Sequence, residues 1–291
     1  MSDELALDKR QLRRAFELAA DTYDAAAILQ HEVCHRMLAR LDYIKVRPRA
    51  ILDAGSGTGN ALTELLARFP QTPLVALDIA LAMLQRGRMR LRWWQDLPGL
   101  RPPLYRVCAD VERLPLAPES IGLIWSNLAL QWVNDLPRAF AEMFRALEPG
   151  GLLMFSTFGP DTLKELRRAY EDTDGRTHVN RFVDMHDIGD MLVHAGYADP
   201  VMDMEPFTLT YDDVLALMRD LKSIGAHNVT HGRPGALSRK SLITSVRRNY
   251  EAFRVNGKLP ATFEVVYGHA WKPRPRMSPT GRPVIDIKVK P

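Results

Sequence analysis

One stretch, Ala50 to Gly59, constrains the fold of this 291-residue chain more than any other. It begins with apolar residues and reaches the acid Asp53, which is typical of a short buried strand. Three glycines then alternate with small residues, and Asn60–Phe69 has the composition of a helix. Glycine permits positive φ and a close backbone approach to a ligand, and the first N–H groups of a helix lack partners within it. The stretch therefore predicts a strand, a tight ligand-binding turn and a helix.

The spacing of the glycines separates this turn from two common nucleotide-binding loops. Gly55, Gly57 and Gly59 do not fit the dinucleotide pattern G-x-G-x-x-G, because position 60 is Asn. No Lys-Ser or Lys-Thr pair follows the glycines, which excludes a P-loop. A purely structural turn in some other α/β domain remains the alternative interpretation.

Length and composition set the broad class. A chain of 291 residues accommodates one large α/β domain with an inserted cap, or two small domains. No apolar run approaches the length of a membrane span, and residues 1–20 lack the apolar segment of a signal peptide. The two cysteines, Cys34 and Cys108, have no metal or redox spacing. We therefore expect a cytoplasmic protein whose cysteines are reduced and buried, with no membrane association.

Charge is distributed unevenly along the chain. Residues 233–291 contain 13 Lys/Arg and 3 Asp/Glu, a net charge of +10, while the whole chain carries +4, so residues 1–232 carry −6. A basic C-terminal part predicts an acidic partner, either a nucleic acid or an acidic protein. A solvated basic face without a partner remains the alternative.

Apolar runs alternate with helical periodicity, which predicts a parallel sheet. The predicted strands are Ala50–Ala54, Leu74–Asp78, Leu104–Cys108, Ile121–Ser126, Leu152–Phe158, Val201–Thr210 and Ala261–Tyr267. The predicted helices are 8–41, 60–69, 80–95, Leu136–Leu147, Thr162–Tyr170, Asp187–Ala195, Tyr211–Ile224 and Ser241–Phe253. A break at 21–24 divides the first of them in two. Glu148–Gly151 is predicted to end the helix Leu136–Leu147.

Polar residues follow several predicted strands. Asp78 lies one βαβ step after Asp53, where an ionised carboxylate can accept both hydroxyls of a ribose. A helix N-cap is the structural alternative for Asp78. Asp110, after the third strand, is placed to accept from an adenine amine. Residues 127–132 follow the fourth strand at the edge where doubly wound sheets bind ligands. Trp132 in that turn either stacks on a substrate or packs in the core.

Four of these segments together resemble the class I S-adenosylmethionine (SAM) methyltransferases. They are D-A-G-S-G-T-G at 53–59, the acid that ends the second strand, A-D at 109–110 and E-P-G-G-L-L at 148–153, and the resemblance covers residues 12–155. It implies a Rossmann-like α/β fold with a seven-stranded, mostly parallel sheet and a helical cap, and SAM as cofactor without a metal. It further implies cofactor contacts by Gln30, Asp53, Gly55, Gly57, Gly59, Asp78, Ile79, Asp110, Val111 and Asn127.

A narrower resemblance covers nearly the whole chain. Its motifs are R-R-A-F-x-x-A-A-x-x-Y-D (13–24), S-N-L-A-L-Q-W (126–132), F-S-T-F-G-P-D-T-L-x-E-L (155–166), L-K-S-I-G-A-H-N (221–228) and T-F-E-V-V-Y (262–267). They resemble the malonyl-[acyl-carrier protein] O-methyltransferases of biotin synthesis. That family methylates the free carboxylate of a malonyl thioester, and the ester masks the charge so that fatty-acid enzymes elongate the chain toward pimeloyl. The resemblance implies malonyl-loaded acyl carrier protein, or malonyl-CoA, as the acceptor.

The expected chemistry agrees with what the sequence lacks. A carboxylate with an ordinary pKa of about 4 is already ionised at neutral pH, so it needs in-line placement rather than a base. A cation is expected to hold it, because Arg binds a carboxylate through two parallel hydrogen bonds. Arg181 is the favoured cation and Lys222 the second candidate, and a structural salt bridge is the alternative role of Arg181. Tyr23 and Trp132 are expected to line the reacting site.

Further residues are expected to contact the thioester arm and its carrier. His227 and Asn228 are the candidates for the arm, although a lone His is more often structural. Arg239, Lys240, Arg247 and Arg248 on one basic helix are predicted to dock the acidic carrier protein by electrostatic attraction. The corresponding division of the chain is a helical lid (1–45), a SAM-binding core (46–210), an inserted helical cap (211–258), and the last strand with a basic tail (259–291).

Three other functions compete with this interpretation. One is an enzyme of the same fold that acts on another small acid or on a protein arginine side chain. Another is an assembly factor that retains the SAM fold without catalysis. The third is a nucleic-acid methyltransferase, but base-amine enzymes commonly carry N/D-P-P-Y/F after the fourth strand, and this chain has S-N-L-A at 126–129.

Overall fold

The computed structural model describes residues 7–90, 103–171, 173, 178–226 and 240–275. Seven described strands form one sheet in the order β3-β2-β1-β4-β5-β7-β6. Strands β1 to β5 run parallel, and β7 is antiparallel to both β5 and β6. This confirms the predicted fold class. The strands are β1 (Ile51–Ala54), β2 (Leu74–Asp78), β3 (Leu104–Cys108), β4 (Ile121–Asn127), β5 (Leu147–Phe158), β6 (Ala198–Tyr211) and β7 (Leu259–Trp271).

Helices cover both faces of the sheet, because side chains alternate between the faces along each strand. The helices are α1 (Lys9–Ala19), α2 (Tyr23–Ala26), α3 (Ile28–Leu41), α4 (Leu62–Arg68), α5 (Leu81–Arg90), α6 (Leu136–Ala146), α7 (Lys164–Glu171), α8 (Met185–His194), α9 (Val214–Ser223) and α10 (Lys240–Tyr250). Ile51 belongs to an apolar cluster with residues of α3, α4, α7, α9 and α10, whereas its neighbour Leu52 belongs to a second cluster with residues of α6 and α8. None of the described helices has the length and apolarity needed to cross a membrane.

The N-terminal segment is three helices rather than one. The predicted break at 21–24 is confirmed, because α1 ends at Ala19 and the single-turn helix α2 begins at Tyr23. This interruption allows α1 to pack across α5 while α3 packs on the sheet, with Leu12 and Val33 each buried. The break therefore lies where the chain changes direction above the sheet.

The predicted helix cap at Glu148–Gly151 is wrong, because α6 already ends at Ala146 and these residues belong to β5. Leu147 pairs with Ile121 and Leu152 with Leu123, so β5 contains a bulge that takes up the glycines. Tyr211 was likewise assigned to the following helix, but it pairs with Leu259 and extends β6.

The expectation of two buried thiols is half correct. Cys34 is buried in α3, whereas Cys108 is exposed. Cys108 ends β3, which is the edge strand of the sheet, so helices do not cover it on both faces.

Candidate functional site

The site lies at the carboxyl ends of β1 and β4, where the order of the sheet reverses and doubly wound folds bind ligands. A cleft opens there, with about 800 Å³ of empty space including the solvent at its mouth. Ten of the predicted residues line it, namely Tyr23, Gln30, Gly55, Gly57, Asp78, Ile79, Asp110, Val111, Asn127 and Trp132.

The turn after β1 forms the floor of the cleft. Gly55 has φ +80°, and a Cβ on it would lie 2.2 Å from the Cβ of Ala129, so only glycine fits between β1 and the turn after β4. Gly57 has φ +56°, and a Cβ on it would meet no atom within 4 Å, because it faces the open cleft. The two glycines therefore serve different purposes: Gly55 permits close packing, and Gly57 leaves space for a ligand.

Gly59 was predicted to contact the cofactor, but it does not line the cleft. It has φ +83°, and a Cβ on it would lie 2.6 Å from Leu62. A Cβ on Gly87 in α5 would in turn lie 2.9 Å from the carbonyl oxygen of Thr58. The absence of these side chains allows the turn, α4 and α5 to pack closely, so Gly59 shapes the site without facing it.

Asp78 ends β2 with its carboxylate in the cleft. Its Oδ2 accepts a hydrogen bond from the Gly57 N–H at 2.8 Å, and its Oδ1 accepts one from the Ala80 N–H at 2.8 Å. Burial raises the pKa of Asp78 to about 6, although these backbone hydrogen bonds act in the opposite direction. The carboxylate is thus held in a fixed orientation, and each oxygen keeps further acceptor capacity.

Asp53 lies deeper, in a smaller cavity that shares Tyr23, Gln30, Gly57 and other residues with the cleft. Its side chain is 2% exposed, and its Oδ2 has no hydrogen-bond partner among the described residues. Burial, with a smaller contribution from the charge of Asp78, raises the pKa of Asp53 to about 7. A buried carboxylate oxygen without a donor is costly, and a cationic group bound in the cavity would satisfy it.

The first helix closes the far side of the cleft. Lys9 of α1 pairs with Asp110 at 3.1 Å and with Glu112 at 3.0 Å. Asp110 was predicted to accept from an adenine amine; here it lines the cleft and also accepts from the Glu112 N–H at 3.0 Å. The N–H of Leu7 donates to Asn134 Oδ1 at 2.7 Å. These contacts hold the start of α1 over the turns that follow β3 and β4.

Aromatic side chains also line the cleft. Phe16 of α1 packs edge-on against Trp132, with ring centroids 5.5 Å apart. Tyr23 lines both the cleft and the deeper cavity. The Thr22 hydroxyl donates to the carbonyl oxygen of Ser223 at 3.0 Å, so the end of α9 meets the start of α2 beside Tyr23. The site is thus closed by two elements that are far apart in sequence.

The turn after β4 contains a strained residue. Leu128 has φ +47°, which is uncommon for a residue with a branched side chain. Its N–H donates to the Ser156 carbonyl and hydroxyl oxygens, and the Ser156 hydroxyl donates to Asn127 Oδ1 at 2.9 Å. Asn127 also donates to the Gln30 carbonyl at 3.1 Å. This network holds the turn in the conformation that presents Asn127 and Gln131 to the cleft.

Neither of the two predicted cations, Arg181 and Lys222, lines the cleft. Arg181 is exposed and lines a different groove with Phe182. The rings of Phe182 and Phe158 pack 5.6 Å apart, and Phe158 lines the cleft, so this aromatic pair stands between Arg181 and the site. Lys222 is exposed on α9 and is absent from the lining of the cleft. The sequence did not show which way either side chain faces.

The predicted docking residues are on the surface where they are described. Arg247 and Arg248 are exposed on α10, and Arg247 pairs with Asp213 at 3.2 Å. Lys240 begins α10, but its side chain is not among the described ones. Three further predictions, His227, Asn228 and Arg239, lie outside the described residues.

Several lining residues were not predicted. Lys9, Phe16 and Phe158 line the cleft with Ile224 and Ala226. Lys9 and Phe16 belong to a helix whose periodicity was visible, but no pattern in the sequence indicates which of its polar residues meets Asp110. Ile224 and Ala226 were read only as the end of a helix and part of a family motif.

Comparisons with known proteins support this geometry. The Methyltransferase domain family matches residues 52–155, from β1 to β5. A malonyl-[acyl-carrier protein] O-methyltransferase of Gallionella capsiferriformans is 56% identical over 99% of both chains. The enzyme of that name from Nitrosospira multiformis is 57% identical over 94% of this chain and 92% of its own. This chain belongs to the malonyl-[acyl-carrier protein] O-methyltransferase family. The predicted resemblance and the predicted enzyme class, a SAM-dependent methyltransferase, are confirmed.

Solved structures with similar folds have a much lower sequence identity to this chain. The YcgJ protein of Bacillus subtilis has a TM-score of 0.56 at 16% identity and covers 82% of this chain, with 99% of its own chain matched. The [4+2]-cyclase SpnF has a TM-score of 0.58 at 16% identity and covers 93% of this chain, with 98% of its own chain matched. A cyclase shares the fold, so the fold alone does not specify the reaction.

Proposed function

We propose that this protein transfers the methyl group of SAM to the free carboxylate of a malonyl group carried by acyl carrier protein. The observation that carries the proposal is the 56% identity, over 99% of both chains, to a relative named for this reaction. The geometry of the cleft supplies the further support. A methyltransferase that acts on another small acid remains the second candidate within the same enzyme class.

The residues of the cleft fit the chemical groups of SAM. The unpartnered oxygen of Asp53 in the deeper cavity is suited to the ammonium of the methionine part. Asp78 retains acceptor capacity for two ribose hydroxyls. Ile79 and Val111 offer apolar contacts to the adenine, with Asp110 beside them. The backbone at Gly57 leaves the intervening space open.

The acceptor part of the cleft provides placement rather than proton transfer. When bound, SAM supplies a methyl group on a positively charged sulfur, which the carboxylate attacks. Both charges disappear in that reaction, so aromatic walls that exclude water favour it. Tyr23 and Trp132 line this part, and we assign them the role of orienting the carboxylate through one O–H and one N–H donor.

The absence of an arginine from the described lining is consistent with this chemistry. Lys9 is the only Lys or Arg among the described residues that line the cleft, and it is paired with Asp110 and Glu112. A strong ion pair with the acceptor carboxylate would stabilise its charged ground state. Because the charge disappears in the reaction, that stabilisation would be lost on the way to the product. Neutral donors position a carboxylate without adding that stabilisation.

The remaining assignments complete the proposal. The malonyl group of this family's substrate is carried by an acidic protein, and the exposed Arg247 and Arg248 are proposed to dock it. Malonyl-CoA is the alternative acceptor. Residues 1–45 act as a lid, 46–210 as the SAM-binding core and 211–258 as a cap. We place the protein in the cytoplasm, where acyl carrier protein is used, and assign it no nucleic-acid partner and no metal.

The proposal is tested by the transfer of a radiolabelled methyl group from SAM. Malonyl-loaded carrier protein is the substrate, and acetyl-loaded carrier protein, which has the same arm without the free carboxylate, is the control. We expect label in the malonyl sample alone, and alkaline hydrolysis should release it as methanol. Equal labelling of both carrier proteins, or none of the malonyl form, would reject the proposed acceptor.

A further inference from the structure

A second groove lies on the surface beside the cleft, between α7 and the segment that precedes α8. Its lining includes Arg167, Tyr170, His178, Arg181 and Phe182. The rings of Tyr170 and His178 stack at 3.9 Å, and Arg181 has no ion pair with another described residue. Glu171 is the one acid that lines the groove among the described residues, so two arginines outnumber it. The groove is therefore an anion-attracting surface with an aromatic floor.

The two arginines in this groove are constrained differently. Arg167 donates to the Pro160 carbonyl at 2.9 Å and to the Thr162 carbonyl at 3.2 Å, which holds its guanidinium against the turn after β5. Arg181 makes no such contact with the described residues and is exposed. Arg167 is thus held in place and keeps further N–H groups, while Arg181 is available to a ligand. A guanidinium pair of this kind suits a phosphate group.

A smaller cavity adjoins both this groove and the cleft. It shares Tyr170, His178 and Val179 with the groove, and it shares Ala226 with the cleft. We call this cavity the passage. Apart from Asn180, its other described lining residues are apolar, namely Leu163, Leu166, Met218 and Leu221.

Asn180 is the exception within the passage. Its Oδ1 atom is buried and has no hydrogen-bond partner among the described residues. A buried amide oxygen without a donor is unusual in a folded protein, and a ligand with an N–H group would satisfy it. The passage therefore favours a slender, mostly apolar chain that contains an amide.

We propose that the groove and the passage form the binding site for the phosphopantetheine arm of the acceptor. Such an arm has a phosphate at one end, amide groups along an aliphatic chain, and the acyl thioester at the other end. Arg181 and Arg167 bind the phosphate, Asn180 accepts from an amide N–H, and the thioester reaches the cleft beside Ala226. This inference rests on the proposed function for the identity of the arm, and it gives Arg181 a role away from the reacting carboxylate.

The neighbouring helix agrees with this direction of entry. Helix α10 packs on α7, and Asn249 of α10 donates to the Ala169 carbonyl of α7 at 3.1 Å. Arg248 of α10 is exposed. A carrier protein that docks on α10 would thus lie next to the helix that forms one side of the groove.

The test compares two arms that differ only in the phosphate, malonyl-phosphopantetheine and malonyl-pantetheine. Binding is measured by calorimetry with S-adenosylhomocysteine present, so that no reaction is required. We expect Arg181→Ala to weaken binding of the phosphorylated arm by about tenfold and to leave the other arm within about twofold, because a charge-assisted hydrogen bond is lost. Asn180→Ala should weaken both arms by a similar factor.

Arg168→Ala is the matched control, since Arg168 is exposed on the same helix and does not line the groove. It should bind both arms as the wild type does. Equal effects of Arg181→Ala on the two arms, or unchanged binding in both variants, would overturn the inference. If the wild type binds the phosphorylated arm through Arg181 but transfers no methyl to malonyl-loaded carrier protein, the proposed function fails while the arm site stands.

Discussion

The two parts of the proposed site, the cofactor side and the acceptor side, are built in different ways. On the cofactor side, Asp53 and Asp78 are 2% and 9% exposed, and backbone N–H groups hold Asp78 in place. On the acceptor side, Arg181 and Arg248 are exposed and have no ion pair with other described residues. The first side is a buried, preorganised pocket, and the second is a charged surface that leads to it.

The difference follows from what each side must bind. A small cofactor is recognised by a few fixed groups close to the sheet, where the strand ends position them within the core. A long acyl arm on a carrier protein requires extended contacts and electrostatic attraction over a surface. Substitutions on the two sides should therefore separate cofactor affinity from acceptor affinity.

The largest expected effect is on the cofactor side. Asp78→Ala removes the acceptor for two ribose hydroxyls, and hydrogen bonds to a charged group contribute about 1.5–3 kcal/mol each. We expect SAM affinity to fall at least about a hundredfold by calorimetry. Asp161→Ala, an exposed acid that pairs with Lys164, is the control and should bind SAM normally. Wild-type SAM affinity in a folded Asp78→Ala protein would remove Asp78 from the cofactor site.

An intermediate effect is expected on the acceptor side. The double substitution Arg247→Glu with Arg248→Glu should raise KM for malonyl-loaded carrier protein by about tenfold at low salt and by less at high salt, because exposed charges are screened. SAM affinity should not change. The measurement is steady-state kinetics at two ionic strengths.

Arg47 and Arg49 provide a matched control for the docking helix. Both are exposed, and they precede β1 at the opposite edge of the sheet from the cleft. Reversing their charges should leave KM for the carrier protein close to the wild-type value. If the two double charge reversals raise KM equally, or if SAM affinity falls in parallel with the rise in KM, docking is not localised on α10.

The smallest expected effect concerns pH. Burial raises the pKa of Asp53 to about 7, so the folded protein without cofactor retains a proton that the unfolded chain releases near its ordinary pKa of 3.8. Its contribution to stability therefore falls as pH rises from about 4 to about 7. We expect Tm to fall less between pH 5 and pH 8 in Asp53→Asn than in the wild type, by a few degrees as an order of magnitude. Identical Tm changes in the two proteins would contradict a raised pKa.

The sequence predicted which residues meet at the carboxyl ends of β1 and β2, because the signals there are local. Gly55, Gly57 and Asp78 lie within one βαβ unit, where the strand-turn-helix order determines which residues meet at the sheet edge. The predicted bounds of β2 and β3 match the structure. By contrast, Glu148–Gly151 carried a helix-end signal, and the pairing of Leu147 with Ile121 across the sheet overrode it.

The acceptor side could not be predicted to the same extent, because its geometry depends on contacts between distant segments. The position of Arg181 depends on the packing of its neighbour Phe182 on Phe158. No spacing pattern in the sequence reveals this contact. The direction of the Arg181 side chain therefore required the folded structure.

The most direct measurement is mass spectrometry of malonyl-loaded acyl carrier protein after incubation with this protein and SAM. The account predicts a gain of one methyl group, located on the malonyl group, and no gain on acetyl-loaded carrier protein. An unchanged mass, or a methyl group on a side chain of the carrier protein, would contradict it.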